Sequence, residues 1–285
     1  MSARGRNHTT RCAHVLMWSA SGVVALLFLA PLLWTLLGSF RVEEAVFRLD
    51  VASLINPQMW TTENYGDAWR RASLGPALAV SIAQVALIVA GGLLVNTLAA
   101  YAFARLQFRG SDALFSAVVM LIILPVEVIA VPMFFTARDL GLTGGLEPAL
   151  AGLTLPFMAK AFNIYFLRQH FLALPRQLEE AAVLDGAGVW AQYWRIALPS
   201  IKPALATVVV LDVLTHWGDF LWPLLIGTRE ETRTVQIGLA NLFTQPPVQW
   251  GDILACAVIA TLPVLLMFRW LQRYIVATQV HVGIK

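Results

Sequence analysis

An all-α polytopic membrane protein is the fold class predicted for this 285-residue chain, on three observations. Hydrophobic residues make up 58% of it and charged residues 13%, where a soluble domain carries about 25% charge. Mean hydropathy is +0.69. Apolar runs of some twenty residues, long enough to cross about 30 Å of hydrocarbon, recur along the whole sequence. None alternates with period two, so a membrane barrel is disfavoured and helices remain the way to satisfy every backbone group in lipid.

Six spans can be read. The first, 15–40, follows a leader holding Arg4, Arg6 and Arg11, and its length and the apolar sequence beyond Pro31 fit an uncleaved span rather than a signal peptide. The others cover 74–103, 113–135, 146–166, 203–226 and 252–274, divided by polar or turn-rich stretches such as DLGLTGG at 139–145. Residues 15–276 then form the membrane domain, with tails at 1–14 and 277–285. With the N-terminus inside, the inner segments hold Arg4, Arg6, Arg11, Arg105, Arg109, Arg168, Arg176, Arg195, Lys202, Arg269, Arg273 and Lys285. The outer ones hold only Arg41, Arg48, Arg70, Arg71, Arg138, Arg229 and Arg233. That bias predicts both termini in the cytoplasm. A net charge of +3 argues neither for nucleic acid nor for an acidic substrate. Cys12 lies in a polar flank and Cys256 in an apolar run, so they read as packing residues and not as a disulfide or metal framework.

Two loops are too long for simple turns. The outer one, 41–73, carries Trp60, Tyr65 and Trp69, either an interfacial anchor or a docking face for an external partner. The inner one, 168–202, is polar enough to leave the bilayer yet patterned like folded structure. Pro175 suits a first helical turn, Glu179 and Glu180 come early, and Leu178, Ala181, Ala182 and Leu184 supply packing positions. Gly186 and Gly188 are expected to end that helix. A second helix from about Val189 sets Trp190, Tyr193 and Trp194 at helical spacing, with Leu198 and Pro199 closing it. Such a helical hairpin, held out by two membrane helices, is a docking element.

The run EAAVLDG, nine further residues and IALP resemble the signature loop of binding-protein-dependent ABC importer permeases. Glu180, Ala181, Ala182, Gly186, Ile196, Leu198 and Pro199 all fall in its register, with Asp185 inside the run. LAAYAFARLQFRG at 98–110, LPVEVIAVPMF at 124–134, WGDFLWPLL at 217–225 and the stretch 249–276 are similar to the short six-span permease of the carbohydrate importers, the maltose and glycerol-3-phosphate kind. The resemblance implies a prokaryotic inner (plasma) membrane location and a heterodimer with a second permease. It also implies two ATPase subunits inside, an external solute-binding protein and a sugar-like solute, with glycerol-3-phosphate or a glycerophosphodiester as the alternative. It makes the 168–202 loop a coupling loop, in which Glu180 accepts charge-assisted hydrogen bonds from an ATPase arginine and the two alanines permit close approach. No cofactor is implied for this chain, ATP and Mg belonging to the ATPase. The sequence likewise has no Gly-rich phosphate loop, nucleophile elbow or zinc spacing, so it does not read as an enzyme. A secondary transporter, the main rival, would need a coupling-ion site and usually inverted repeats.

Four ionisable residues fall inside spans: Glu127, Lys160, Asp212 and Asp219. Two readings stay open. They neutralise one another or cap helix ends, as Lys160 with Asp212. Alternatively, with Asn163 beside Lys160 and with Trp217 and Trp222 as stacking surfaces, they line a pathway for a hydroxyl-rich solute. Asp219 matches the family pattern W-N-D-F-L-W-P, with Gly218 in place of the asparagine. The resemblance also points to Leu239–Pro247 as a contact for the binding protein, and to Gly283 and Lys285 as a tail contact with the ATPases.

Overall fold

The computed structural model describes the backbone of residues 4–48 and 50–280 and the side chains of 17–48, 50–270 and 272. Gly283 and Lys285 lie outside the described residues. The chain divides into two compact units, one of Met1–Arg71 with Leu242–Ile259, the other of Ala72–Asn241 with Ala260–Lys285. Both are helical, and among the described residues the single β-bridge pairs Arg41 with Trp60.

The first unit starts with α1 (Arg4–Gly38), whose stretch from Met17 to Gly38 is long and apolar enough to cross a membrane. The loop after it is folded rather than slack. Asp50 caps the short α2 (Val51–Ile55) by accepting from the Ser53 N–H at 2.8 Å, and α3 (Glu63–Arg71) follows. Buried Arg41 donates to Ser53 Oγ at 2.9 Å and lies 5.4 Å from the centre of the Trp60 ring. The Asn64 amide donates to the carbonyls of Ser39 and Arg41 at 2.9 and 2.8 Å. Arg71 pairs with Asp252 at 2.6 Å and donates to the carbonyls of Gln245 and Pro247 at 3.0 and 2.7 Å, which fixes that turn on its guanidinium.

The second unit is built on α4 (Leu74–Arg105), an uninterrupted span. After it in sequence come α5 (Ser111–Met120), α6 (Val126–Asp139), α7 (Leu146–Met158) and α8 (Ala161–Ala173). The 168–202 loop holds α9 (Gln177–Leu184), α10 (Val189–Gln192), a π-helical turn at Tyr193–Ala197 and α11 (Leu198–Ser200). After them run α12 (Lys202–Trp217), α13 (Leu221–Ile226), α14 (Val235–Leu242) and α15 (Trp250–Val280), of which Leu242 and residues 250–259 belong to the first unit. Small residues let these helices approach, as helices in lipid require. A Cβ on Gly91 of α4 would come within 2.6 Å of the Met158 sulfur at the end of α7.

Three of the expected spans are not single helices. The 113–135 run turns through 106° between Ile123 and Val126. The cause is Pro125, which drives Leu124 to an extended ψ of 114°. The fourth span runs on past 166 to Ala173 and is bent by 45° at Ala159 and Lys160, both extended. The 203–226 run is helical only to Trp217, unwinds over Gly218–Phe220 and restarts as α13. Asp219 therefore sits in a break and not on the helix that carries Asp212.

Candidate functional site

The hairpin begins with α9, which ends in a Schellman motif. Gly186 takes φ +79°, its N–H bonds to the Val183 carbonyl at 2.9 Å, and the Ala187 N–H reaches the Ala182 carbonyl at 2.8 Å. Gly188 plays a different part from the one expected: at φ −70° and ψ 167° it is the extended N-cap of α10. Leu198 and Pro199 do not close the second helix either. The π-helical turn absorbs an extra residue, α11 carries the helix through Ser200, and the chain then bends by 74° at Ile201 into α12.

The hairpin is fastened to α4 along its length. Arg105 forms an ion pair with Glu179 at 3.0 Å, both side chains largely buried, and donates to the Leu174 carbonyl at 2.8 Å. Arg168 donates to the Phe103 carbonyl at 3.1 Å. The Tyr193 hydroxyl lies 2.6 Å from Thr97 Oγ, and its ring packs on Tyr101 at 5.2 Å. Burial pushes the Tyr193 phenol above its usual value of 10.0, so it stays a neutral hydrogen-bonding group. The neighbouring acids therefore face opposite ways: Glu179 turns inward to Arg105, while Glu180 is exposed. Ala182 is buried; Ala181, Asp185, Gly186 and Pro199 are exposed, and Ile196 and Leu198 half-buried. Leu184, 89% exposed, and Trp190, 63% exposed, give the tip an apolar surface beside a free carboxylate.

The three helix breaks converge on a cavity of about 460 Å³. Glu127 comes from the first turn of α6, just past its break, Lys160 from the break between α7 and α8, and Asp219 from that after α12. Unwound backbone at membrane depth is tolerated only where protein or a polar cavity receives its free groups. Pro156 leaves the Gly152 carbonyl without its helical N–H, and the buried Trp222 indole donates to that carbonyl at 3.0 Å. Lys160 Nζ meets Asp212 Oδ1 at 3.0 Å, the Asn163 amide donates to Oδ2 at 2.7 Å, and the Lys160 N–H bonds to Asn96 of α4 at 2.9 Å. Asp212 and Asn163 thus stand behind the cavity as supports of Lys160.

Trp217 lies elsewhere. Its indole donates to the Ala260 carbonyl at 2.9 Å, and it lines a second, apolar cavity of about 250 Å³ with Val213 and Met267. Thr215, His216 and Phe157 also line the first cavity and were not singled out from sequence. The only local signals for them were Pro156 and Gly218, which mark where the helices break.

The family described as binding-protein-dependent transport system inner membrane component matches residues 92–279, a stretch that contains the hairpin and every residue named at the cavity. The chain belongs to that family. As such a component it is a multi-pass membrane permease subunit and not an enzyme. The arabinooligosaccharides transport system permease protein of Halalkalibacterium halodurans is 30% identical over 267 residues, covering 92% of this chain and 93% of that one. The sn-glycerol-3-phosphate transport system permease protein of Yersinia enterocolitica is 30% identical over 270 residues, covering 90% and 93%. The diacetylchitobiose uptake system permease protein of Streptomyces coelicolor is 29% identical over 265 residues, covering 92% and 84%. A bacterial ABC transporter involved in import of the acidic polysaccharide alginate has a chain with the same fold, at TM-score 0.79, 24% identity and coverage of 96% and 99%.

Proposed function

We propose that the chain is the membrane-spanning permease subunit of an ATP-driven importer for a sugar or sugar-like solute, with the cavity as part of the solute pathway and the 168–202 hairpin as the coupling loop. The observation that carries this reading is a pair of neighbours on α4. Asn96 bonds to the backbone of Lys160 at the cavity and Thr97 to Tyr193 of the hairpin. One stiff helix therefore touches both the pathway and the docking element, and Thr97 lies about 12 Å along it from the Arg105 anchor at 1.5 Å per residue.

In this reading 15–276 is the membrane domain and 1–14 and 277–285 are cytoplasmic tails, the hairpin lying on the same side. Exposed Glu180, Asp185 and Gly186 meet an ATPase cleft, with Ala181 allowing close approach. Closure of two ATPase subunits around ATP, which they bind with Mg, moves the hairpin; α4 carries that movement to the cavity, and the nucleotide's preference for one of the two states supplies the drive. A second permease completes the pathway, and an external solute-binding protein delivers solute at the opposite face, with Leu239–Pro247 as its contact on this chain. Relatives named for arabinooligosaccharides and diacetylchitobiose support a carbohydrate, and one named for sn-glycerol-3-phosphate keeps a phosphorylated polyol as the alternative.

The test is the complete transporter in proteoliposomes, offered radiolabelled arabinooligosaccharide, diacetylchitobiose and glycerol-3-phosphate. ATP-dependent uptake of at least one, lost together with ATPase co-purification in Glu180→Lys, is expected. Unchanged uptake in that variant overturns the coupling assignment.

A further inference from the structure

The charges at the cavity do not cancel. Lys160 is the one lysine or arginine among the described residues that line it, and its ammonium is already taken by Asp212. Asp212 is 3% exposed and has both oxygens occupied, so the pair contributes no net charge. Glu127 and Asp219 remain. Neither has an ion-pair partner among the described residues, and the two interact with each other electrostatically. Glu127 is exposed and Asp219 half-buried, so both carboxylates line the cavity within reach of a solute.

A second observation points to a ligand rather than to a stray acidic cluster. His216 is 6% exposed and lines the cavity, yet neither of its ring nitrogens has a hydrogen-bond partner. Its ring lies 5.0 Å from that of Phe157, which in turn meets Trp222 edge-on at 5.9 Å. A buried polar group without a partner is costly, so the site is arranged to receive one. A neutral imidazole offers one donor and one acceptor, the complement of a hydroxyl group, and aromatic faces suit the C–H faces of a sugar ring.

We propose that this cavity accepts neutral or amine-bearing polyhydroxylated solutes, hydroxyls against His216 and Lys160, and rejects phosphorylated or carboxylated ones through Glu127 and Asp219; the proposal rests on the cavity being part of the solute pathway. It selects the neutral oligosaccharide over the phosphorylated alternative.

The experiment reads the local potential directly. Thr215, exposed in the cavity, is changed to Cys in a Cys12→Ser, Cys256→Ser background of the complete transporter. Modification of this chain is followed by mass with a cationic (trimethylammonioethyl) and an anionic (sulfonatoethyl) methanethiosulfonate, each rate divided by that of a small free thiol. The cationic reagent is expected to react at least tenfold faster, and Glu127→Gln with Asp219→Asn to bring the ratio towards one. Ala161→Cys serves as a second position on the same wall. Equal or faster reaction of the anionic reagent, or a ratio indifferent to the neutralising changes, overturns the proposal. Block of ATP-dependent uptake of a neutral oligosaccharide by complete modification supports the pathway reading separately; uptake untouched by complete modification overturns that reading and the selectivity with it.

Discussion

The hairpin and the cavity are both polar features of an apolar chain, and they are specified in opposite ways. The hairpin is local: one segment of 168–202 contains its helices, its left-handed Gly186 and the acids that face in and out. The cavity is assembled from helix breaks near residues 125, 160 and 219, and no short window of sequence contains it. A docking element that must fit another protein is well served by a rigid local fold. A pathway is better served by unwound backbone and polar groups drawn from several helices, since each group alone is costly in lipid.

The sharpest way to break that comparison is to damage the hairpin's outer face and leave the cavity alone. Glu180→Lys and Gly186→Asp are each expected to insert normally and lose transport to background, measured as uptake alongside membrane yield. Unchanged uptake in either would show that the exposed face grips nothing. For Gly186 nothing crowds a Cβ, so the strain comes from φ +79° alone, about 1–2 kcal/mol for a residue that is not glycine.

Next in size is the cavity's support. Asp212→Ala strands the Lys160 ammonium and is expected to lower stability by about 3 kcal/mol, the low end for a broken buried pair because Lys160 keeps partial access to the cavity. Thermal melting in detergent should show Lys160→Ala restoring part of that loss. Purely additive effects in the double variant would mean that the two side chains do not neutralise one another.

The link between the two regions is tested by Arg105→Gln and Glu179→Gln. Each is expected to reduce uptake several-fold while ATPase subunits still co-purify, and the double variant to be no worse than either single one, because both remove the same ion pair. Additive losses would separate the two residues.

The smallest effect is expected at Tyr193→Phe, which removes one buried hydrogen bond to Thr97, about 1 kcal/mol. The wild-type phenol, raised in the folded state, adds stability that is fully present below its unfolded value near 10 and lost as pH rises through the folded value. Melting curves above about pH 10 should therefore fall more steeply for the wild type than for Tyr193→Phe. Parallel curves would place the phenol in contact with water.

Much of the hairpin was legible because its causes are near neighbours in sequence. Acids early in α9, a glycine where a left-handed residue is needed and aromatics at helical spacing are all local signals. Reading failed where a distant residue decided. Tyr193 looked like one of three equivalent aromatics, yet it alone is buried, on Thr97 and Tyr101. Gly188 looked like a helix terminator and is a helix start, since Gly186 and Ala187 had already closed α9. At the cavity, Glu127, Lys160 and Asp219 stood out because charge in an apolar run is conspicuous. His216 and Thr215 did not, for a histidine near a helix end has no period or spacing to mark it.

By itself, then, the sequence determined that the chain lives in a bilayer as helices, since apolar length and missing charge are properties of composition. It determined most of the helical hairpin at 168–202 as well, because the residues that shape it are contiguous. Only the tertiary structure decided that three spans are broken and that their breaks meet, that Lys160 is neutralised by Asp212 from another helix, and that Glu127 and Asp219 are left without an ion-pair partner among the described residues. The physical reason is that hydrogen bonds within a helix are set by neighbours four residues apart, whereas the balance of charge in a cavity depends on which helices come to lie around it.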